Sequence, residues 1–168
     1  MHQEDNKIAE LSAQLQRVLG LHEQRVLAYK RWEKAFREYV ALEDQAEGWE
    51  DYQDAIKEAT GEFVKISTAV REVEAQLALS RPDLAAMVRS LQELEKQKLQ
   101  LTAKVQAGKE KAVVTERVDE EVDWVWEREE KGMRNQLNGL VEEINLVVDS
   151  LRVELQDLAP PSAEEANE

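Results

Sequence analysis

The sequence predicts an all-α protein of long antiparallel helices, arranged as a three-helix coiled-coil-like bundle with a helical C-terminal extension. Three observations lead to this fold class. The 168 residues are rich in Ala, Glu, Lys, Leu, Gln and Arg, which favour helices. Only three prolines and six glycines interrupt them. Apolar residues recur every three or four positions over most of the chain, which places them on one face of a helix.

The first helix is predicted from about residue 4 to residue 44. Its apolar stripe starts with Ile8 and Leu11 and continues through Trp32 and Phe36. The stretch 44–49 interrupts this pattern and contains a glycine, so we expect a connector there.

The second helix has the most regular pattern in the chain. Its apolar positions alternate four-three-four-three at Tyr52, Ile56, Ala59, Phe63, Ile66, Val70, Val73 and Leu77. The short connector that follows contains Pro82, a residue suited to the first turn of a helix. Residues 52–79 and 82–107 are therefore predicted to form an antiparallel hairpin.

The third helix carries a seam through Leu84, Leu91, Leu94 and Val105, with Lys98 at an unusual seam position. Beyond Gly108 the pattern blurs before it becomes regular again. We divide the chain into a bundle over residues 4–107, a helical extension over 109–158 and a disordered acidic tail over 159–168. The pattern leaves open whether the extension projects from the bundle or folds back near Gly132.

The charge of the chain argues against a protein that grips nucleic acid through its phosphates. The net charge is −14, with 10 basic and 16 acidic residues in 1–80 and 12 basic and 20 acidic residues in 81–168. Cysteine is absent, so disulfides and thiolate chemistry are excluded. The N-terminus lacks the layout of a secretory signal, and no apolar run approaches a membrane span.

Catalytic and metal-binding patterns are missing from the sequence. Histidine occurs only as His2 and His22, and no Glu-x-x-His pair accompanies the many carboxylates. The lone Gly108-Lys109 pair lacks the upstream glycine of a phosphate-binding loop. We expect no enzymatic activity and no cofactor.

One candidate interaction segment is the basic and aromatic stretch over residues 25–37, which has a net charge of +4. Interleaved aromatic and basic side chains can stack on and neutralise single-stranded nucleic acid. Its candidate residues are Arg25, Lys30, Arg31, Lys34 and Arg37. The alternative is that the aromatic residues form core and the basic residues pair with the next helix.

A second candidate segment is the acidic run over residues 116–130, in which Trp124 and Trp126 could dock on a basic partner. Its alternative is that Val118, Val122 and Val125 are simply core, with a solvated acidic face opposite. The third candidate is the C-terminal apolar stripe, including Leu137, Ile144 and Leu151, which lacks an obvious partner within the chain unless it folds back. Self-association or a protein partner would cover it.

Three stretches of the sequence together carry a family resemblance. They are residues 22–36 (HEQRVLAYKRWEKAF), 62–67 (EFVKIS) and 91–102 (LQELEKQKLQLT). In this order and spacing the chain resembles the eukaryotic required-for-excision B family over residues 20–105. The resemblance implies a role in excision repair of damaged DNA, in the nucleus and without a defined enzymatic activity. It supplies no catalytic residues.

Two hypotheses of different classes follow. The first is a non-enzymatic helical adaptor or scaffold in nuclear DNA repair, which presents helix faces to protein partners and contacts DNA weakly or not at all. The second is a structural coiled-coil component of a cytoskeletal or ciliary assembly, located in the cytoplasm or cilium. A direct nucleic-acid binder that uses residues 25–37 and 96–111 is a weaker third, since the acidic field of the protein opposes it. Neither main hypothesis places the protein in a membrane.

Overall fold

The protein folds into four long helices in this computed structural model, which describes residues 2–119 and 124–159 and, within them, the side chains of all residues except 117–119. The helices are α1 (His2–Ala41), α2 (Gln45–Ser80), α3 (Pro82–Asp119) and α4 (Trp124–Leu158). The described ranges contain no strand, and the predicted all-α class is confirmed. None of their helices is long and apolar enough to cross a membrane.

The turn between α1 and α2 is shorter than the sequence predicts. Asp44 caps α2 by accepting a 3.0 Å hydrogen bond from the backbone N–H of Ala46. Residues 45–49, which we predicted as connector, are therefore the first turn of α2. Gly48 is needed there for close approach, because a Cβ at this position would overlap the side chain of Leu42.

The turn between α2 and α3 takes a single residue, Arg81. Its N–H donates to the carbonyl of Leu77 at 2.7 Å, and Pro82 starts α3. Its guanidinium bonds Asp83 at 2.8 Å and holds the pKa of that carboxyl near 2. So short a turn makes α2 and α3 antiparallel.

The third helix does not end at Gly108 but continues to Asp119, and α4 then runs back along it. This differs from the predicted division into a bundle over 4–107 and an extension over 109–158. A Cβ at Gly108 would lie inside the indole ring of Trp126, so the glycine allows helix packing rather than a helix break. Helix α3 ends at Asp119 and α4 begins at Trp124, so the extension does fold back, and Gly132 lies inside α4 rather than at the reversal. The tail over residues 160–168, predicted to be disordered, lies outside the described residues.

The core has two distinct regions along the bundle axis. The first, here called the aliphatic half, packs Leu, Val and Ile from all four helices, including Leu15, Leu77, Leu84 and Leu151, each 0% exposed. The second, the aromatic half, consists of two smaller clusters from α1 and α2. These contain Ala28, Tyr29, Trp32, Ala59 and Phe63 in one and Phe36, Tyr39 and Tyr52 in the other. Helix α4 contributes to the aliphatic half alone.

The antiparallel order gathers several chain segments at the aromatic end of the bundle. Tyr39 of α1 donates a 3.0 Å hydrogen bond to Glu110 of α3, and its ring lies 6.0 Å from that of Trp49 of α2. Lys109 of α3 lies 4.0 Å from Glu130 of α4. The α1–α2 turn, the last turns of α3 and the first turns of α4 therefore share one end.

Candidate functional site

The border between the two halves of the core is a cluster of buried polar side chains. Arg25 of α1 is only 3% exposed and donates hydrogen bonds to Gln92 of α3 at 3.0 Å and to Ser67 of α2 at 3.3 Å. Gln92 in turn donates to the backbone carbonyl of Ser67 at 3.3 Å. One guanidinium thus connects three helices at a single level of the bundle.

Two further buried groups, His22 and Glu95, complete this polar cluster. The Nδ1 atom of His22 lies 3.5 Å from a carboxyl oxygen of Glu95, and both side chains are buried. Burial lowers the pKa of Arg25, whereas the nearby Glu95 charge raises it. His22 Nδ1, Arg25 Nη1 and Glu95 Oε2 make no hydrogen bond to any described residue. A slide of one helix past another would separate these groups, so the cluster fixes the register of α1, α2 and α3.

Lys98, the residue at the unusual seam position, lies close to this cluster and contacts Tyr29. Its Nζ is 4.0 Å from the centre of the Tyr29 ring, a cation–π contact. Burial raises the pKa of Tyr29, so the ring stays neutral beneath the lysine. The seam position is therefore explained by a contact that the sequence pattern alone did not indicate.

A groove opens beside the polar cluster, between α2 and α3. Its lower part, which is the part next to the polar cluster, is a cavity of about 510 Å³. Arg25, Glu95, Arg71 and Lys96 are among its lining residues. Its upper part is an apolar pocket of about 200 Å³. Trp32, Ile56, Phe63, Val64 and Leu99 supply most of the apolar lining of that pocket. The two parts share four residues and form one continuous surface, here called the α2–α3 groove.

The structure separates the five basic residues of the predicted surface segment. Arg25 is not the exposed residue that we predicted, because it is buried in the polar cluster rather than on the outer surface of α1. Arg31 bonds Glu62 of α2 at 2.6 Å, and Lys34 lies 3.8 Å from Glu38. Lys30 and Arg37 are exposed. The alternative of core aromatics with paired basic residues therefore describes most of this segment.

The acidic and C-terminal candidates also have different outcomes. Trp124 is 73% exposed, whereas Trp126 is half-buried against Gly108. Of the alternative core residues, Val125 is 68% exposed and therefore not core, whereas Val118 and Val122 lie outside the residues whose side chains are described.

Ile144 and Leu151 were predicted as candidate interaction residues of the C-terminal stripe. That prediction is wrong for both, because they are buried in the aliphatic half of the core. The C-terminal stripe is therefore covered by other helices of the same bundle. Leu137 is half-buried on α4.

The α2–α3 groove was missed by reasoning from sequence. Its walls come from residues such as Val64 and Arg71, which lie off the apolar seam of α2 and look like ordinary surface positions. A signal did exist in Arg25, whose charge lies on the same side of α1 as its buried neighbours Ala28 and Tyr29. As regards metals, no cluster of three or more candidate ligands occurs within residues 2–119 and 124–159.

Comparison with known proteins places this geometry in a family. The model of the DNA repair REX1-B family matches residues 13–109, which is more than half of the chain. The chain belongs to the DNA repair REX1-B family. The match covers most of α1, all of α2 and most of α3, and therefore contains the polar cluster and the α2–α3 groove, whereas α4 lies beyond it. The predicted resemblance is confirmed.

Two curated relatives are similar over the same part of the chain. A mouse protein named "Required for excision 1-B domain-containing protein" is 38% identical over 100 residues, which is 58% of this chain and 59% of the mouse protein. A Bos taurus protein of the same name is 35% identical over 102 residues, which is 60% of this chain and 56% of that relative. The match thus spans under two thirds of each relative. No solved structure matches the chain. The family name associates these proteins with DNA repair.

Proposed function

We propose that this protein is a non-enzymatic helical adaptor in the excision repair of damaged DNA, which acts in the nucleus by holding protein partners. The observation that carries the proposal is the α2–α3 groove, a concave surface with an aromatic floor inside the part that matches the REX1-B family. Apolar concave surfaces that a chain leaves uncovered are typical of sites for partner proteins. The family name supports the setting in DNA repair.

The contacts of the basic segment favour protein over DNA as the partner. Arg25 is buried, and Arg31 and Lys34 each face a carboxylate. A protein that binds DNA through its phosphates needs several cations free to release counterions. With a net charge of −14 as well, the protein has little to attract a polyanion.

Affinity purification from cells with and without ultraviolet damage tests the adaptor proposal. We expect identified excision-repair proteins to co-purify, and their amount to rise after damage. Recovery of axonemal or cytoskeletal proteins instead would replace the proposal with a structural coiled-coil role.

A DNA-binding titration at physiological salt tests the second half of the proposal. We expect only weak binding to bare single- or double-stranded DNA. Submicromolar binding that falls steeply with salt and disappears in the Arg31→Glu, Lys34→Glu double variant would instead show a direct nucleic-acid binder.

A further inference from the structure

We infer that the α2–α3 groove is the docking site for an amphipathic helix of a partner protein, one that presents an apolar side chain and, two turns away, an acidic one. The inference rests on the proposed adaptor function and specifies the chemistry of the partner. It is built from the apolar pocket, the cations beside it and the distance between them.

The apolar pocket provides the anchor point. Trp32 and Phe63 lie in its floor with their ring centres 6.2 Å apart, and Leu99 of α3 closes one side. Val64 on the rim is 59% exposed, although its neighbours Phe63 and Ile66 are buried. Its lining holds only one charged side chain, that of Arg71. A pocket of about 200 Å³ with such walls suits one or two aliphatic or aromatic side chains of a partner.

The charged residues beside the pocket determine which charge a partner segment should carry. Of the charged residues that line the lower part of the groove, Arg89 and Glu74 form an ion pair at 2.7 Å. The buried charges of Arg25 and Glu95 interact with each other. That leaves Arg71 and Lys96, opposed by a single acidic residue, Glu93. Neither cation has an ion-pair partner within the described part of the chain, so the groove carries a local positive charge on an acidic protein.

A buried donor strengthens this local preference for an anion. Arg25 is 97% buried and lines the same cavity. Its Nη1 makes no hydrogen bond to a described residue, although its Nη2 makes two. A carboxylate above it would approach three cationic side chains from three different helices.

The spacing of these features matches a helix. Val64 and Arg71 are seven residues apart on α2, which corresponds to about 10 Å along the axis and two helical turns. A helix laid into the groove presents side chains at positions i and i+7 on one face with the same spacing. The partner segment is therefore expected to carry its apolar anchor and its Asp or Glu seven residues apart.

Binding of designed helical peptides to the full chain, measured by fluorescence anisotropy, tests the inference. The first peptide carries two Leu residues one turn apart, with a Glu seven residues from each. In the second peptide Lys replaces Glu, and in the third Ala replaces Leu. We expect the first to bind at least about tenfold more tightly than either of the others, and its affinity to fall with added salt.

Two variants locate the binding, each with a matched control. Val64→Glu should abolish binding of the first peptide, whereas Leu27→Glu, at a Leu that is 52% exposed on α1 outside the groove, should not. Arg71→Glu with Lys96→Glu should weaken binding about tenfold or more. Arg17→Glu with Lys30→Glu makes the same charge change at exposed α1 positions and should alter it less than about threefold. The six substituted positions are all exposed, and equal thermal unfolding midpoints confirm that the four variants keep the fold.

Several results would overturn the inference. They are equal or tighter binding of the Lys peptide, no measurable binding of the acidic peptide, and retained binding in the Val64→Glu protein. The adaptor proposal is tested separately, by comparing repair proteins that co-purify with the wild-type chain and with the Arg71→Glu, Lys96→Glu variant. Equal recovery would reject the groove while leaving an adaptor with a different surface, whereas no recovery with either protein would reject the adaptor itself.

Discussion

The two halves of this bundle share helices α1 and α2, yet they differ in composition and in how completely the core is enclosed. In the aliphatic half, α4 supplies Ile144, Val148 and Leu151 to a core of Leu, Val and Ile. In the aromatic half, no described residue of α4 belongs to the buried clusters, and rings of α1 and α2 fill the volume instead. Four helices can enclose a core on every side, whereas the α2–α3 groove opens where the aromatic rings lie. The comparison indicates that stability and recognition are located in different parts of one bundle.

The largest effect that bears on this comparison is expected at the border, for Arg25→Met. The substitution removes the hydrogen bonds to Gln92 and Ser67 and the positive charge that interacts with buried Glu95, and a buried charge left uncompensated costs about 3–5 kcal/mol. Adding Glu95→Leu should recover part of that loss. Urea unfolding of both variants measures the free energies. A loss below about 1 kcal/mol for Arg25→Met would mean that the polar cluster does not fix the register of α1, α2 and α3.

The second prediction tests whether α4 belongs to the aliphatic half. Leu151 is 0% exposed, so Leu151→Ala should reduce the free energy of unfolding by about 2–5 kcal/mol. Leu146, on the same helix and 69% exposed, is the matched control, and its change to Ala should stay within about 0.5 kcal/mol. Thermal and urea unfolding provide the measurement. Equal small effects at both positions would separate α4 from the core.

A pair of glycine substitutions sharpens the account of how α4 begins. At Gly108 a methyl group meets the Trp126 ring, and overpacking of about 1–3 kcal/mol should outweigh the helix-propensity gain of about 1 kcal/mol. At Gly139 of α4 nothing lies within 4 Å, so Gly139→Ala should stabilise by up to about 1 kcal/mol. Opposite signs in thermal unfolding are the expected outcome. Stabilisation by both would show that Trp126 does not pack on α3.

The smallest effect expected is the response of the aromatic half to alkaline pH. Burial raises the pKa of Tyr39 to about 12, with help from its hydrogen bond to Glu110, and burial raises that of Tyr52 to about 12. The ordinary tyrosine pKa is about 10, so the folded state holds these protons more tightly than the unfolded state does. The contribution of these two tyrosines to the free energy of unfolding should therefore be fully present below about pH 10 and should decline between about pH 10 and 12. Hydrogen exchange should show the aromatic half loosening first, and Tyr39→Phe with Tyr52→Phe should reduce the decline.

Much of the fold follows from the sequence, because long apolar stripes with a period near 3.5 residues permit little besides packed helices. The seam of α2 from Tyr52 to Leu77 is an example, since all its positions except Ile56, which is half-buried, are buried as predicted. The packing position of α4 could not be predicted, because an apolar stripe shows that a helix face is buried but does not show which helices bury it. Gly108 misled for a related reason, since a glycine that admits an indole ring looks the same in sequence as one that ends a helix.

The groove was less accessible to prediction than the fold. Its walls depend on the distance between α2 and α3, which no local pattern encodes. Charge patterning also gave an incomplete account of residues 25–37, because whether a basic side chain is free depends on a carboxylate such as Glu62 on another helix. Family membership was predictable, since the stretches that carry it keep their order and spacing in the chain.

The gathering of the α1–α2 turn with the end of α3 and the start of α4 gives the molecule an electrical polarity. Residues 38–54, at that end, hold seven acidic and no basic residues, while residues 55–109 hold nine basic and seven acidic ones. The 40 residues of α1 give the bundle a length of about 60 Å, so most of the flank lies several screening lengths of about 8 Å from this tip in physiological salt. A polyanion is therefore repelled from the tip but not from the flank. The protein should therefore orient with its acidic tip away from DNA, so that its flank faces the assembly on the DNA.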